Sequence, residues 1–161
     1  DMAKSRGLGD VYKRQPLRFK VLLELCRRFH EEPMNLGVQF SSSRDIYHHF
    51  QTRLGNLKQE RFIIVILDNK HRFLSETTVT VGLLNRSLVH PREVFAEAIE
   101  QRAAAIICIH NHPSGDSSPS EEDKRITRRL QESGELLGIP LLDHIIISKE
   151  DFTSFADEGW L

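Results

Sequence analysis

Positions 110 to 123 read HNHPSGDSSPSEED: two histidines one residue apart, a Pro/Ser/Gly loop, a serine and an acidic cluster. These residue types support two kinds of chemistry. Ser120 and Asp123 have the S-x-x-D spacing of a helix capping box, in which each side chain satisfies an orphan backbone N–H of the other. His110 and His112 suggest a metal, because residues two apart in a strand project to the same face. A carboxylate carried back by the start of the next helix would complete a His₂-carboxylate set. Three protein ligands and one open position describe a catalytic zinc site rather than a closed structural one. By chemistry alone Asp116, Glu121 or Glu122 could serve as the carboxylate. Asp123 is preferred, since a residue one turn into a helix can face the strand end. Cys108 extends the pattern to C-x-H-x-H, although a cysteine inside an apolar strand is ordinarily core. Capping and metal binding do not exclude each other, because the helix start that Ser120 caps is also what would bring Asp123 to the histidines.

The surrounding chain must place these groups. LRFKVLLELCRRF carries Leu17, Val21, Leu22, Leu25, Cys26 and Phe29 on one helical stripe, and Pro33 disfavours continuation. SSSRDIYHHFQTRLGNL predicts a second helix with serine caps and a stop at Gly55 and Asn56. Its adjacent His48 and His49 do not share a helix face, so no joint metal role is expected of them. RFIIVILD (61–68) is a β-branched apolar run, as in a strand buried on both faces. FLSETTVTVG follows a turn as its hairpin partner. SLVHPREVFAEAIEQRAA predicts a short strand and then a helix with Pro91 in its first turn, burying Val94, Phe95, Ala98 and Ile99. AAIICIH is a second apolar strand, and it delivers the histidines. SEEDKRITRRLQESGELLG predicts a helix with Ile126, Leu130 and Leu137 inward, and IPLLDHIIIS another buried strand. On that last strand Asp143 and His144 are either outer partners that fix a ligand's tautomer or ordinary strand-end polar residues. The order implies a mixed β-sheet flanked by helices, a layered α/β domain.

The 161 residues suffice for one domain with a real core, and 39% apolar with 28% charged residues is ordinary for a globular protein. A net charge of −1 supplies no field toward nucleic acid or membranes. No apolar run approaches the ~20 residues that span a bilayer. The absence of an apolar h-region and the two cysteines read as buried free thiols point to a cytoplasmic protein. DMAKSRGLGDVYKRQP (1–16) has no period and is expected to be a non-core, disordered or foreign leader. Residues 17–39 then form a helical segment, and 40–161 the main domain.

The full pattern is H-x-H-P, six residues, Ser, two residues, Asp, here His110, His112, Pro113, Ser120 and Asp123. It resembles that of the JAMM (MPN-type) zinc metalloproteases. With HPREVF upstream and LLDHIII downstream, the chain from about Phe40 onward looks like the RadC family. The resemblance implies a three-layer, cytidine-deaminase-like fold and one Zn²⁺ per chain on His110, His112 and Asp123. It also implies that a glutamate just before the first strand is the general base, a place that Glu60 occupies. Without the resemblance, Glu60 reads as an exposed residue at a strand edge. Family analogy gives the Ser120 hydroxyl a role in stabilising an oxyanion. Asn111 stands where many JAMM proteases have Ser or Thr, and it points away from the metal if the strand continues. The implied activity is attack of a metal-activated water on an amide, peptide or isopeptide carbonyl, with a peptide or protein as substrate. The competing reading is a DNA-repair-associated or scaffold module whose metal site is structural or inactive. The basic helix face DKRITRR is the feature nearest to a nucleic-acid patch, and it has the pattern of a solvated surface. RadC proteins usually carry an N-terminal helix-hairpin-helix, so the chain reads as an N-terminally truncated member.

Overall fold

The computed structural model describes residues 20–21, 36–82 and 89–161. The chain divides into two compact units, Asp1–Pro33 and Met34–Leu161. In the first, only Lys20 and Val21 are described, and both are helical; the rest of the helix expected from Leu17, with Cys26 and the 1–16 leader, lies outside the described residues.

In the second unit the elements are α1 (Ser43–Leu54), β1 (Arg61–Leu67), β2 (Phe73–Val81), α2 (Pro91–Glu100), β3 (Ala105–Asn111), α3 (Glu121–Leu137), β4 (Leu141–Ile147) and β5 (Phe152–Ser154). The strands form one sheet in the order β2-β1-β3-β4-β5, which puts β3 at its centre. The β3–β4 pair is parallel and the other pairs are antiparallel. β1 and β3 have no polar alternation because both of their faces are covered. On one face Ile63, Val65, Ile107, Ile109 and Ile145 pack with Ile46, Phe50 and Leu54 of α1. On the other, Phe62, Ile64, Ile106 and Cys108 pack with Val94 and Phe95 of α2 and Ile126 and Leu130 of α3. The result is a three-layer α/β/α domain, as the element order implied.

Local signals account for the helix ends. Ser42 caps α1 by accepting the Asp45 N–H. His90 accepts the Arg92 N–H and starts α2, with Pro91 at its first position. Val89 and His90 therefore form no strand, contrary to expectation, while 87–88 lie outside the described residues. Two residues expected to be inward are not buried: Ile99 is 54% and Leu137 48% exposed. Ile99 is one position past Ala98 and so turns off the buried stripe of Val94, Phe95 and Ala98. In α3 the close approach comes at Gly134, three residues before Leu137. A Cβ on Gly134 would stand 2.5 Å from the Ile139 carbonyl oxygen. β5 has only three residues, two of them polar, and lacks the alternation by which a strand is recognised.

Candidate metal centre

β3 sends Ile106 and Cys108 toward α2 and α3, and His110 is the next residue on that side, fully buried. Strand geometry persists one residue past β3, because the His112 N–H donates to the Ile147 carbonyl at 2.9 Å. The chain then turns at Gly115, whose φ of +88° lies in the region open to glycine. That turn brings the Asp116 carbonyl back to His112 Nδ1 at 2.8 Å. Ser120 starts α3 with a complete capping box: its Oγ accepts from the Asp123 N–H at 3.1 Å, and Asp123 Oδ2 accepts from the Ser120 N–H at 2.7 Å.

These elements bring three ligand atoms together. His110 Nε2 lies 2.9 Å from His112 Nε2, and the two lie 3.3 and 3.5 Å from the Asp123 carboxylate oxygens. Atoms bound about 2.0–2.1 Å from a tetrahedral zinc stand about 3.3 Å apart, and the observed separations bracket that spacing.

The hydrogen bonds assign the tautomers. His112 Nδ1 faces a carbonyl and must donate, which in the neutral ring leaves a lone pair on Nε2. The Thr127 hydroxyl gives its one proton to the Asp123 main-chain carbonyl at 2.7 Å. It must therefore accept from His144 Nδ1, 2.5 Å away. His144 Nε2 is then an acceptor, and His110 Nδ1, 2.8 Å from it, is the donor. His110 Nε2 is left with a lone pair too. With both rings neutral, two imidazole lone pairs and a carboxylate converge, an arrangement that a cation completes.

Electrostatics favour ionised Asp123. Burial alone would raise its carboxyl, but His110, His112 and Ser120 beside it hold it well below the usual carboxylate range. Burial pushes His110 below its ordinary value, against the pull of Asp123. Burial also lowers His112, but Asp123, the Asp116 carbonyl and Glu60 outweigh that and raise it. Burial pushes the Cys108 thiol far up, and the residue lies in the core outside the group of converging ligand atoms.

Among the described residues, His110, His112 and Asp123 are the group of side chains able to hold a metal. Asp116 contributes its carbonyl, while its carboxylate caps the Ser118 N–H. Glu121 pairs with Lys124 and Glu122 with Arg125, both outside the ligand group. His48 and His49 lie exposed on α1. The Glu60 carboxylate acts electrostatically on both His110 and His112. The Ser120 hydroxyl donates to Asp123 Oδ2 at 2.5 Å. Asp143 and His144 have different roles. His144 orients His110, whereas Asp143 accepts from His144 N–H, Ser154 Oγ and Ala156 N–H and braces the β4–β5 corner. Thr127 escapes sequence reasoning, because it reads only as a small residue on the buried side of α3.

Comparison with known proteins agrees with this geometry. The profile of the RadC-like JAB domain matches residues 40–160. A UPF0758 protein of Syntrophotalea carbinolica is 49% identical over 156 residues, covering 97% of this chain and 67% of that protein. UPF0758 proteins of Methanosarcina mazei and Thermotoga maritima are 42% and 41% identical, each over 100% of this chain and 70% and 71% of their own lengths. The chain belongs to the RadC-like JAB domain family.

Proposed function

We propose that the protein is a zinc-dependent hydrolase of the metallopeptidase type that cleaves an amide, peptide or isopeptide bond in a peptide or protein. The observation that carries this reading is the convergence of His110 Nε2, His112 Nε2 and the Asp123 carboxylate at 2.9 to 3.5 Å from one another. His110, His112 and Asp123 would hold the ion. Bound zinc supplies a Lewis acid that acidifies water and polarises a carbonyl. The neutral, Nδ1-protonated histidines keep their lone pairs on the metal side throughout. The Glu60 carboxylate takes a proton from the attacking water and returns it to the leaving nitrogen, the general acid/base work that the three ligands cannot do. The Ser120 hydroxyl, held against Asp123 Oδ2, turns toward the developing oxyanion when a substrate carbonyl is in place.

Glu60→Gln separates binding from chemistry. Zinc-loaded wild type and variant are compared on a mixed peptide and isopeptide library by mass spectrometry. The variant should keep its zinc and lose cleavage by about 10²–10⁴-fold, the usual weight of a general base. Undiminished cleavage by Glu60→Gln would remove Glu60 from the reaction. A zinc-loaded wild type that cleaves nothing would contradict the metallopeptidase reading.

A further inference from the structure

We infer that Asn111 is the positioning residue for Glu60: its side-chain amide grips the main chain on both sides of Glu60 and so fixes where that carboxylate stands. The inference rests on the hydrolase reading for what Glu60 does.

The backbone pairing of β1 with β3 ends at Phe62 opposite His110. β3 itself continues along β4, with Asn111 opposite Ile147. The next β1–β3 step is made by the Asn111 side chain. Its Oδ1 accepts from the Arg61 N–H at 2.8 Å, and its Nδ2 donates to the Gln59 carbonyl at 3.2 Å. A third tie comes from just past β2, where the Gly82 N–H donates to the Glu60 carbonyl at 2.8 Å. The peptide units around Glu60 are thereby held from both neighbouring sides.

The chemistry suits asparagine. One planar group offers an acceptor and a donor side by side; a serine or threonine hydroxyl is too short to span both partners. Asn111 is 1% exposed, so water does not readily replace a lost bond. The consequence falls on the face across the sheet. Phe62, Ile64 and Ile66 point to the side of Cys108, and alternation puts Glu60 on that side too. Asn111, next to two ligands in sequence, thus acts through the backbone of the base rather than at the metal. A displacement of about 1 Å in a reacting group can cost about 10²-fold in rate.

The test uses Asn111→Ala and Asn111→Ser, with Glu60→Gln as reference and Co²⁺ as the probe. Asn111→Ala should bind one Co²⁺ like wild type. Its Arg61 amide should exchange at least ~10-fold faster, about 1.4 kcal/mol of lost protection. The pH midpoint of its cobalt visible spectrum should move toward that of Glu60→Gln. A wild-type midpoint in Asn111→Ala, beside a shifted Glu60→Gln, would overturn the inference. If the alanine variant does not fold, Asn111→Ser, which can reach at most one partner, should give an intermediate shift, and an unshifted midpoint there overturns it equally. A wild type that binds no Co²⁺ would fail the metal reading alone. A crystal structure of the metal-free Asn111 variant then decides: displaced Gln59–Arg61 backbone supports the inference, and an unmoved one refutes it.

Discussion

Each ligand lone pair in this site is fixed by a bond made on the far side of its ring. His112 is set by the Asp116 carbonyl, and His110 by the chain His110–His144–Thr127–Asp123 carbonyl. Thr127 closes that chain. With valine there, the His144 Nδ1–H loses its acceptor, and the ring can adopt the tautomer that opposes His110 Nδ1–H. Such outer partners typically contribute 10–100-fold to metal affinity. Thr127→Val should therefore weaken zinc binding by about 10–100-fold in a chelator competition, while Thr127→Ser should stay near wild type. Equal affinity in wild type and the valine variant would contradict the relay. The spacing of His110, His112 and Asp123 was legible because strand alternation and the capping box are local rules. Thr127 and Asn111 were not, because their partners lie 17 and 50 residues away in sequence. Sequence could nominate Asp143 and His144 together, but only the packing separates their roles.

Among the elements, α3 has the most demanding position: it must cap itself, present Asp123 and lie close against β4. Gly134 permits the close approach. Alanine would gain about 1 kcal/mol in helix propensity. Its Cβ, however, would meet the Ile139 carbonyl oxygen at 2.5 Å and Phe95 Cζ at 3.2 Å. Overpacking of this kind costs about 1–3 kcal/mol, and main chain cannot swing aside as a side-chain tip can. Gly134→Ala should thus be less stable than wild type in urea by about 1 kcal/mol, and greater stability would contradict the packing. The β1–β2 turn supplies a pH-dependent counterpart. Asp68 accepts from the Lys70 and Arg72 N–H groups and from Arg72 Nε, and the Arg72 side chain is the main cause of its carboxyl falling to about 2. The folded value lies below that of an unfolded Asp, near 3.9. The ionised group therefore stabilises the fold above about pH 4, and the contribution disappears as pH falls through about 2. Asp68→Asn should melt below wild type at pH 7, with the gap narrowing from pH 4 downward; a gap independent of pH would contradict this. Element types and order were legible from periodicity, apart from β5 and the short strand expected before α2. The exposure of Ile99 and Leu137 was not, because periodicity defines a face without saying where its neighbour ends.

The molecule as a whole explains why a 14-residue motif needs the rest of its domain. The candidate ligands come from the end of β3, the residue after it and α3, the proposed base from just before β1, and the bracing groups from α3, β3 and β4. Apolar packing on both faces of the sheet keeps these elements in register. Among the described residues no helix is long and apolar enough to cross a membrane. The layered fold was legible because both central strands are apolar throughout and helices intervene. Metal analysis decides whether His110, His112 and Asp123 hold zinc. Wild type and His112→Ala are purified without chelators, equilibrated with zinc, freed of excess and measured by atomic absorption. The expected result is one zinc per wild-type chain and far less than one in His112→Ala. Wild type without stoichiometric zinc, or a variant that retains it fully, would contradict the site.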